Sequence, residues 1–245
     1  MRNAQLWVPT KVVKSRSGSF QPTSDRAVLG TASRLVASRQ AEAYEAALRG
    51  YARGTLLDMG CGHVPYLEMY RPFVEANVCV DWDNSFHSNQ YVDEPADLNQ
   101  PLRFATASFD TVLLADVLEH IARPWILFPE IARILRPGGH AIIGVPYMYW
   151  IHERPHDYYR YTEFGLRQLA GEAQLEPVHL APYGGAPEIM SDIAGKCLRR
   201  WEPLCRAWVS CTAFVLNSRL GRRLSDATAK SFPLGYVFVA RKATR

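Results

Sequence analysis

The sequence predicts an α/β fold: a mostly parallel sheet with helices on both of its faces. Three observations predict it. Short apolar runs alternate with amphipathic helical ones along most of the chain. The first apolar run ends in a glycine pair, Gly60 and Gly62, as a buried strand does where it turns sharply into a helix. The 245 residues are enough for one large core, in the range of a single α/β domain.

Residues 1–23 mix Pro, Ser, Lys and Gln without periodicity and read as an N-terminal arm, open to being flexible. A single domain is expected over 24–245. It opens with an Ala-rich helical run from Ser24, with Asp25 near its start, to Leu48, which Gly50 and Gly54 stop. Residues 55–58 are apolar and end at glycines, the pattern of a buried parallel strand. A short helix is expected at 65–74, a second strand at 78–81 and a third at 110–115. Apolar spacing predicts a helix over 125–135, after which Pro137-Gly138-Gly139 turns the chain into a strand at 141–145. Thr162 caps an expected helix over 162–173, with Glu163 favouring its first turn. A weak strand at 177–181 and a final one at 232–240 complete the pattern. The stretch 184–230 between them is helical in character and too long for a plain loop, so a helical insertion is expected at about 186–230.

Hydrophobic residues make up 48% and charged residues 21%, the balance of a soluble globular protein. A formal net charge of +4 is too small to mark a nucleic-acid protein, so no nucleic-acid partner is expected. The five cysteines are odd in number and form no CxxC pair, which argues against a disulfide framework or structural zinc and suits a reducing, cytoplasmic setting. The apolar stretch Ala207 to Leu216 is far shorter than the roughly 20 residues of a membrane span.

The segment Leu56-Leu57-Asp58-Met59-Gly60-Cys61-Gly62-His63 carries the chemistry. Glycines let the backbone bend tightly and approach a ligand. A dinucleotide site needs a third glycine three residues on, where a helix N-terminus meets pyrophosphate, and Pro65 stands there instead. Asp58 would repel a pyrophosphate and suits a ligand bearing ammonium and sulfonium. At about 4 Å and an effective dielectric near 20, two unit charges interact by about 4 kcal/mol, so the sign of this residue discriminates. Asp81 follows the glycines by about 20 residues, where an acidic side chain can hold both ribose hydroxyls.

With LLDMGCG, CVDWD, ADLNQPLRFATASFDTVLLADVLEHI and EIARILRPGGHAIIGVP in place, the chain resembles the class I S-adenosylmethionine-dependent methyltransferases from about Gly54 to Glu176, and the final strand fits as well. The resemblance implies a seven-stranded Rossmann-like sheet and S-adenosylmethionine as cofactor. It implies that Asp58, Gly60, Cys61 and Gly62 surround the methionine part. Asp81 then takes the ribose, Trp82 lies against the adenine, and Asp97 accepts from the adenine amino group with the Leu98 backbone beside it. Ala115 and Asp116 end the strand whose backbone meets the amino-acid part, and His120 stands one turn further. One departure is Val64, where many members carry another glycine.

The run His152-Glu153-Arg154-Pro155-His156-Asp157-Tyr158-Tyr159-Arg160-Tyr161-Thr162 holds two His, two acids, two Arg and three Tyr, too polar for core and too aromatic for a plain solvated loop. It follows a strand on the side where open α/β sheets place their sites. HDYYRYT followed by GLRQL is similar to a subgroup of these methyltransferases found with sugar, polysaccharide or secondary-metabolite biosynthesis. The expected reaction is O-methylation of a small-molecule or sugar and glycan acceptor, with His156 as general base, Asp157 orienting it and His152 as the alternative base. N- or C-methylation would use the same cofactor site, and a non-catalytic partner protein would keep the fold alone. In a scaffold reading of the run, Asp157 pairs with Arg160 and locks the loop. No metal is expected: Pro155 breaks the helical spacing of His152 and His156, and magnesium prefers carboxylates and water to imidazole. The 186–230 insertion sets apolar residues beside arginines, which fits packing over the sheet, a lid, a homodimer surface or a peripheral membrane contact.

Overall fold

The computed structural model describes residues 1–84 and 89–244. The arm forms a two-stranded hairpin, β1 (Val12–Lys14) with β2 (Phe20–Pro22). The chain then runs through α1 (Arg34–Tyr51), β3 (Thr55–Met59), α2 (Leu67–Tyr70), β4 (Ala76–Asp81), β5 (Glu94–Pro95), β6 (Phe109–Ala115), α3 (Pro124–Ile134) and β7 (Leu135–Pro146). It ends with α4 (Glu163–Glu172), β8 (Leu175–Tyr183), α5 (Ala186–Cys197), α6 (Glu202–Asn217), α7 (Arg219–Ala229) and β9 (Gly235–Lys242).

The seven strands of the main sheet lie in the order β5-β4-β3-β6-β7-β9-β8. β5, β4, β3, β6 and β7 pair in parallel, and β9 runs antiparallel between β7 and β8. The expected mostly parallel Rossmann-like sheet is therefore present, with one reversed strand that follows the helical insertion. Successive apolar residues within one strand feed opposite faces. Leu57, Val112, Leu114 and Ile143 pack with Leu127, Phe128 and Ile131 of α3 and Leu166 of α4. Leu56, Leu113 and Ile142 pack with Tyr44 and Leu48 of α1 and Leu67 and Tyr70 of α2. Burial on both faces is why these strands read as unbroken apolar runs rather than alternating ones.

Two local differences from the sequence expectation have physical reasons. Helix α1 begins at Arg34 and not near Ser24, because Asp25 Oδ1 accepts the Ala27 N–H and spends the segment in a turn. Strand β7 begins at Leu135, with Pro137-Gly138-Gly139 lying inside it as a register irregularity against β6. The Thr162 cap is present: its side chain accepts the Gly165 N–H at 3.1 Å.

The arm, whose flexibility the sequence left open, lies against the domain. The N-terminal amine meets Asp93 at 3.2 Å, Trp7 Nε1 donates to the Val64 carbonyl at 3.3 Å, and Lys11 Nζ stands 3.4 Å from Asp116. The insertion is tied down by a buried pair, Arg39 Nε to Glu188 Oε1 at 3.0 Å, joining α1 to α5. Among the described residues no helix is long and apolar enough to cross a membrane.

The chain passes from β3 outward to β4 and β5, then returns past β3 to β6 and β7. The carboxyl ends of β3 and β6 therefore sit at the point where the winding reverses, the usual place for a ligand crevice.

Candidate functional site

A cavity of about 630 Å³ opens at that switch point. Its floor is the bend after β3. Gly60 and Gly62 take left-handed φ values of 69° and 49°. A Cβ on Gly60 would come within 2.5 Å of Val117, so the bend and the close approach both demand glycine. The Gly60 N–H donates to the Val80 carbonyl at 2.8 Å and the Gly62 N–H to Asp81 Oδ2 at 2.8 Å, which binds the bend to the tip of β4. Val64, at the departure from the family pattern, has φ 52° and is fully buried. It occupies the left-handed conformation that explains a glycine there in other members.

All eleven residues expected around the cofactor line this cavity: Asp58, Gly60, Cys61, Gly62, Asp81, Trp82, Asp97, Leu98, Ala115, Asp116 and His120. Asp58 is 4% exposed, and its carboxyl is pushed up to about 7 by burial and the Asp81 charge, against a hydrogen bond from Tyr70 at 3.3 Å. Asp81 accepts from Gly62 and, at 2.7 Å, from the Trp82 N–H, so its carboxylate is held at the strand tip. Asp97 Oδ1 accepts the Asn99 N–H at 2.9 Å in a local turn. Asp116 has φ 56° and accepts from Gln40 at 3.0 Å. A buried carboxylate beside a second carboxylate, with no cation of the chain on it among the described residues, fits a cationic ligand and not a pyrophosphate.

The other wall is the loop after β7. His152 and His156 line the cavity, but Asp157 does not. Asp157 was expected to orient His156; this is corrected by the geometry. Its side chain is 2% exposed and is clamped by Arg160 (Nη2 to Oδ2, 2.8 Å), accepts the His152 N–H at 2.9 Å and stands 3.3 Å from His152 Nδ1. Burial works to raise its pKa, but the Arg160 and His152 hydrogen bonds win and hold it at about 2. Asp157 is thus the partner of His152 and Arg160. His156 instead pairs its Nδ1 with the Tyr158 hydroxyl at 3.1 Å, and its ring meets Trp82 edge-on at 5.3 Å between centroids. That puts His156 beside Trp82.

Several lining residues escaped sequence reasoning. Lys11 of the arm, Gln40 of α1 and Tyr149 roof the pocket. Lys196 of α5 sits 3.6 Å from the Tyr149 ring centroid, coupling the insertion to this wall. Most conspicuous is Glu119, which is 0% exposed and has no hydrogen-bond partner on either carboxylate oxygen among the described residues. Burial, with the Asp116 charge adding, pushes its carboxyl well above the usual range. Its Oε1 lies 3.7 Å from both His120 Nε2 and His152 Nε2. The LEH triplet was visible, but a glutamate beside a known pocket histidine gives no sequence sign of facing inward, because the helical turn that aims it depends on the loop packed above.

Comparison with known proteins agrees with this reading. Residues 57–143 match the family model described as a methyltransferase domain. Over 87 residues the chain is 32% identical to a methyltransferase of Mycolicibacterium vanbaalenii, a match covering 36% of this chain and 31% of that relative, so under a third of the relative is spanned. A methyltransferase solved with the Haloferax volcanii Trm112 activator superposes with a TM-score of 0.57 at 20% identity, covering 87% of this chain and 95% of that one. A S-adenosylmethionine-dependent methyltransferase from Archaeoglobus fulgidus does so at 0.54 and 16% identity, covering 86% and 97%. The structural likenesses carry the fold, and the family match carries the domain at the glycine bend. Residues 57–143 therefore resemble a methyltransferase domain, and the chain as a whole shares the fold of S-adenosylmethionine-dependent methyltransferases.

Proposed function

We propose that this chain methylates an oxygen of a small-molecule or sugar-type acceptor held between the glycine bend and the loop after β7. The observation that carries the reading is the division of one cavity into two chemistries: carboxylates at the strand tips on one side, a Glu119–His120–His152 group on the other. S-adenosylmethionine, when bound, supplies a methyl group already activated on a sulfonium.

The chain's own residues supply position and charge. Asp58 and the bend face the amino-acid part, Asp81 takes the ribose, and Trp82 with His156 encloses the adenine. With the cofactor so oriented, the acceptor must enter from the side of His120 and His152, in line with the departing sulfur. An acceptor hydroxyl there meets lone pairs of imidazole and carboxylate, which draw off its proton as the new bond forms. Asp157 serves as a positioning residue that sets the His152 ring through Nδ1. Half-exposed Tyr158 and the roof residue Tyr149 offer flat surfaces to a ring-shaped acceptor.

Calorimetry with S-adenosylmethionine, followed by mass spectrometry of a hydroxylated acceptor pool incubated with the chain and cofactor, tests this. Cofactor binding and the gain of one methyl on an oxygen are expected. Binding of a nicotinamide cofactor with none of S-adenosylmethionine would end the reading.

A further inference from the structure

We propose that Glu119, His120 and His152 form a site for a divalent first-row transition-metal ion such as Mn²⁺ or Zn²⁺, with open positions facing the acceptor side of the cavity. The three ligating atoms lie within 4.8 Å of one another. Two of the three gaps, Glu119 Oε1 to each histidine Nε2, are 3.7 Å. Two donors sharing an ion at about 2.0–2.2 Å from each stand no more than about 4.4 Å apart. The 3.7 Å gaps already meet that limit, and the third, at no more than 4.8 Å, needs a shift of at most about 0.4 Å.

The hydrogen-bond partners of the two rings agree with these distances. His120 Nδ1 is 2.9 Å from the His156 carbonyl oxygen, which can only accept, so Nδ1 carries a hydrogen and, in the neutral ring, Nε2 is the nitrogen that turns a lone pair to Glu119. His152 Nδ1 lies 3.3 Å from the Trp150 carbonyl and 3.3 Å from Asp157 Oδ2, both acceptors, so its Nε2 is likewise the bare nitrogen. Two lone pairs therefore converge on a fully buried carboxylate. Among the described residues, His120 Nε2 and both Glu119 oxygens have no hydrogen-bond partner. A proton on Glu119 would not join them, since O–H···N contacts need about 3 Å or less. Three electron-pair donors gathered with nothing positive between them are the arrangement that an ion satisfies.

The surroundings match a metal site as well. A metal-bound histidine ordinarily donates its other ring N–H to a carboxylate or a backbone carbonyl, and here His152 Nδ1 does so to the Trp150 carbonyl, with Asp157 Oδ2 also 3.3 Å away, and His120 Nδ1 to the His156 carbonyl. Glu153 Oε2, 3.7 Å from His120 Nε2 and 39% exposed, supplies a fourth ligand that can move. Two imidazoles with carboxylate favour a transition ion over magnesium. The role follows from the methyl-transfer reading on which it rests: an ion here would polarise the acceptor oxygen and ease loss of its proton.

The purified chain is stripped with chelator, then titrated calorimetrically with Mn²⁺, Zn²⁺ and Mg²⁺, with visible absorption of a Co²⁺-loaded sample as the signature of imidazole ligation. One transition ion per chain is expected, held more tightly than Mg²⁺. His152→Ala should weaken it at least tenfold and remove the Co²⁺ bands. Asp157→Asn should weaken it about tenfold through the His152 ring. Glu119→Gln should lose the ion while raising the thermal midpoint of the metal-free chain, because an uncompensated buried acid is gone. S-adenosylmethionine affinity, measured on the same samples, should be unchanged. No uptake at submillimolar ion, preference for Mg²⁺, or uptake untouched by His152→Ala overturns the site. Ion uptake by a chain that ignores S-adenosylmethionine leaves the site standing and overturns the methyl-transfer reading instead.

Discussion

The two walls of the cavity are built in opposite ways. On the cofactor wall, Asp58, Gly60, Gly62 and Asp81 sit at the tips of adjacent strands, tied to one another by backbone hydrogen bonds. On the acceptor wall, Glu119 and His120 follow β6, His152 and Glu153 follow β7, and Lys196 of the insertion braces Tyr149. The first wall is a property of the sheet. The second exists only where loops distant in sequence meet. A fold that reuses the first wall can therefore change acceptors by altering the second.

The sharpest way to break the comparison is to disturb the core of the sheet on which both walls stand. In Gly144→Ala, the new Cβ would come within 1.7 Å of Tyr44 Oη, on a ring that is fully buried. A loss of about 3 kcal/mol is expected, a drop of about 6–12 °C in thermal midpoint, with both walls failing together. Differential scanning calorimetry checks it; an unchanged midpoint would mean the sheet is looser than this packing requires.

Arg160→Ala separates the walls. It strips the partner from Asp157, whose side chain is 2% exposed, at a cost of about 2 kcal/mol after discounting for the partly exposed arginine. S-adenosylmethionine affinity should stay within about twofold, since the effect is confined to the loop. Asp157 is held at about 2, below its unfolded value, so its contribution to stability is full above about pH 4 and is lost as pH falls through 2. The variant should accordingly show a weaker dependence of stability on acid between pH 4 and 2 than the parent, read by denaturant titration at each pH.

Asp81→Asn strikes the other wall. Loss of a charged hydrogen-bond acceptor to the ribose should weaken S-adenosylmethionine about 30-fold by calorimetry, with metal uptake on the acceptor wall unchanged. A loss in both would show the walls to be coupled.

The smallest effect is one of pH. Asp58 titrates at about 7 when folded, above its unfolded value, so the cofactor-free chain loses stability as pH rises from about 4 to 7. The cationic cofactor binds the ionised form. Its affinity should rise up to about tenfold per pH unit below 7 and level off above, and Asp58→Asn should flatten that slope. A flat profile in the parent would remove Asp58 from the ammonium site.

How far each wall was legible follows from its construction. Asp58 and Asp81 end recognisable strands, so the apolar pattern located them, whereas Asp97 was reached only through the resemblance to the methyltransferases. Val64 shows the limit even there: its left-handed backbone is visible only in three dimensions. In the loop, sequence proximity paired Asp157 with His156, whereas the turn at Glu153, with φ 49°, carries His152 back onto Asp157. Glu119 could not be read as an inward-facing group, because its burial depends on the loop whose Tyr158 N–H donates to its backbone carbonyl at 2.9 Å. The arm likewise offered no periodicity to announce that Lys11 reaches Asp116.

The sequence by itself determined the alternation of strand and helix, the glycine bend and the sign of charge beside it, because these rest on neighbours within a few residues and on the apolar period. The tertiary structure decided which histidine Asp157 serves, what Glu119 faces, and that the arm lines the pocket while the insertion braces Tyr149 of its wall. Those pairings join residues far apart along the chain, whose approach is governed by loop geometry and packing rather than by any local preference of the residues themselves.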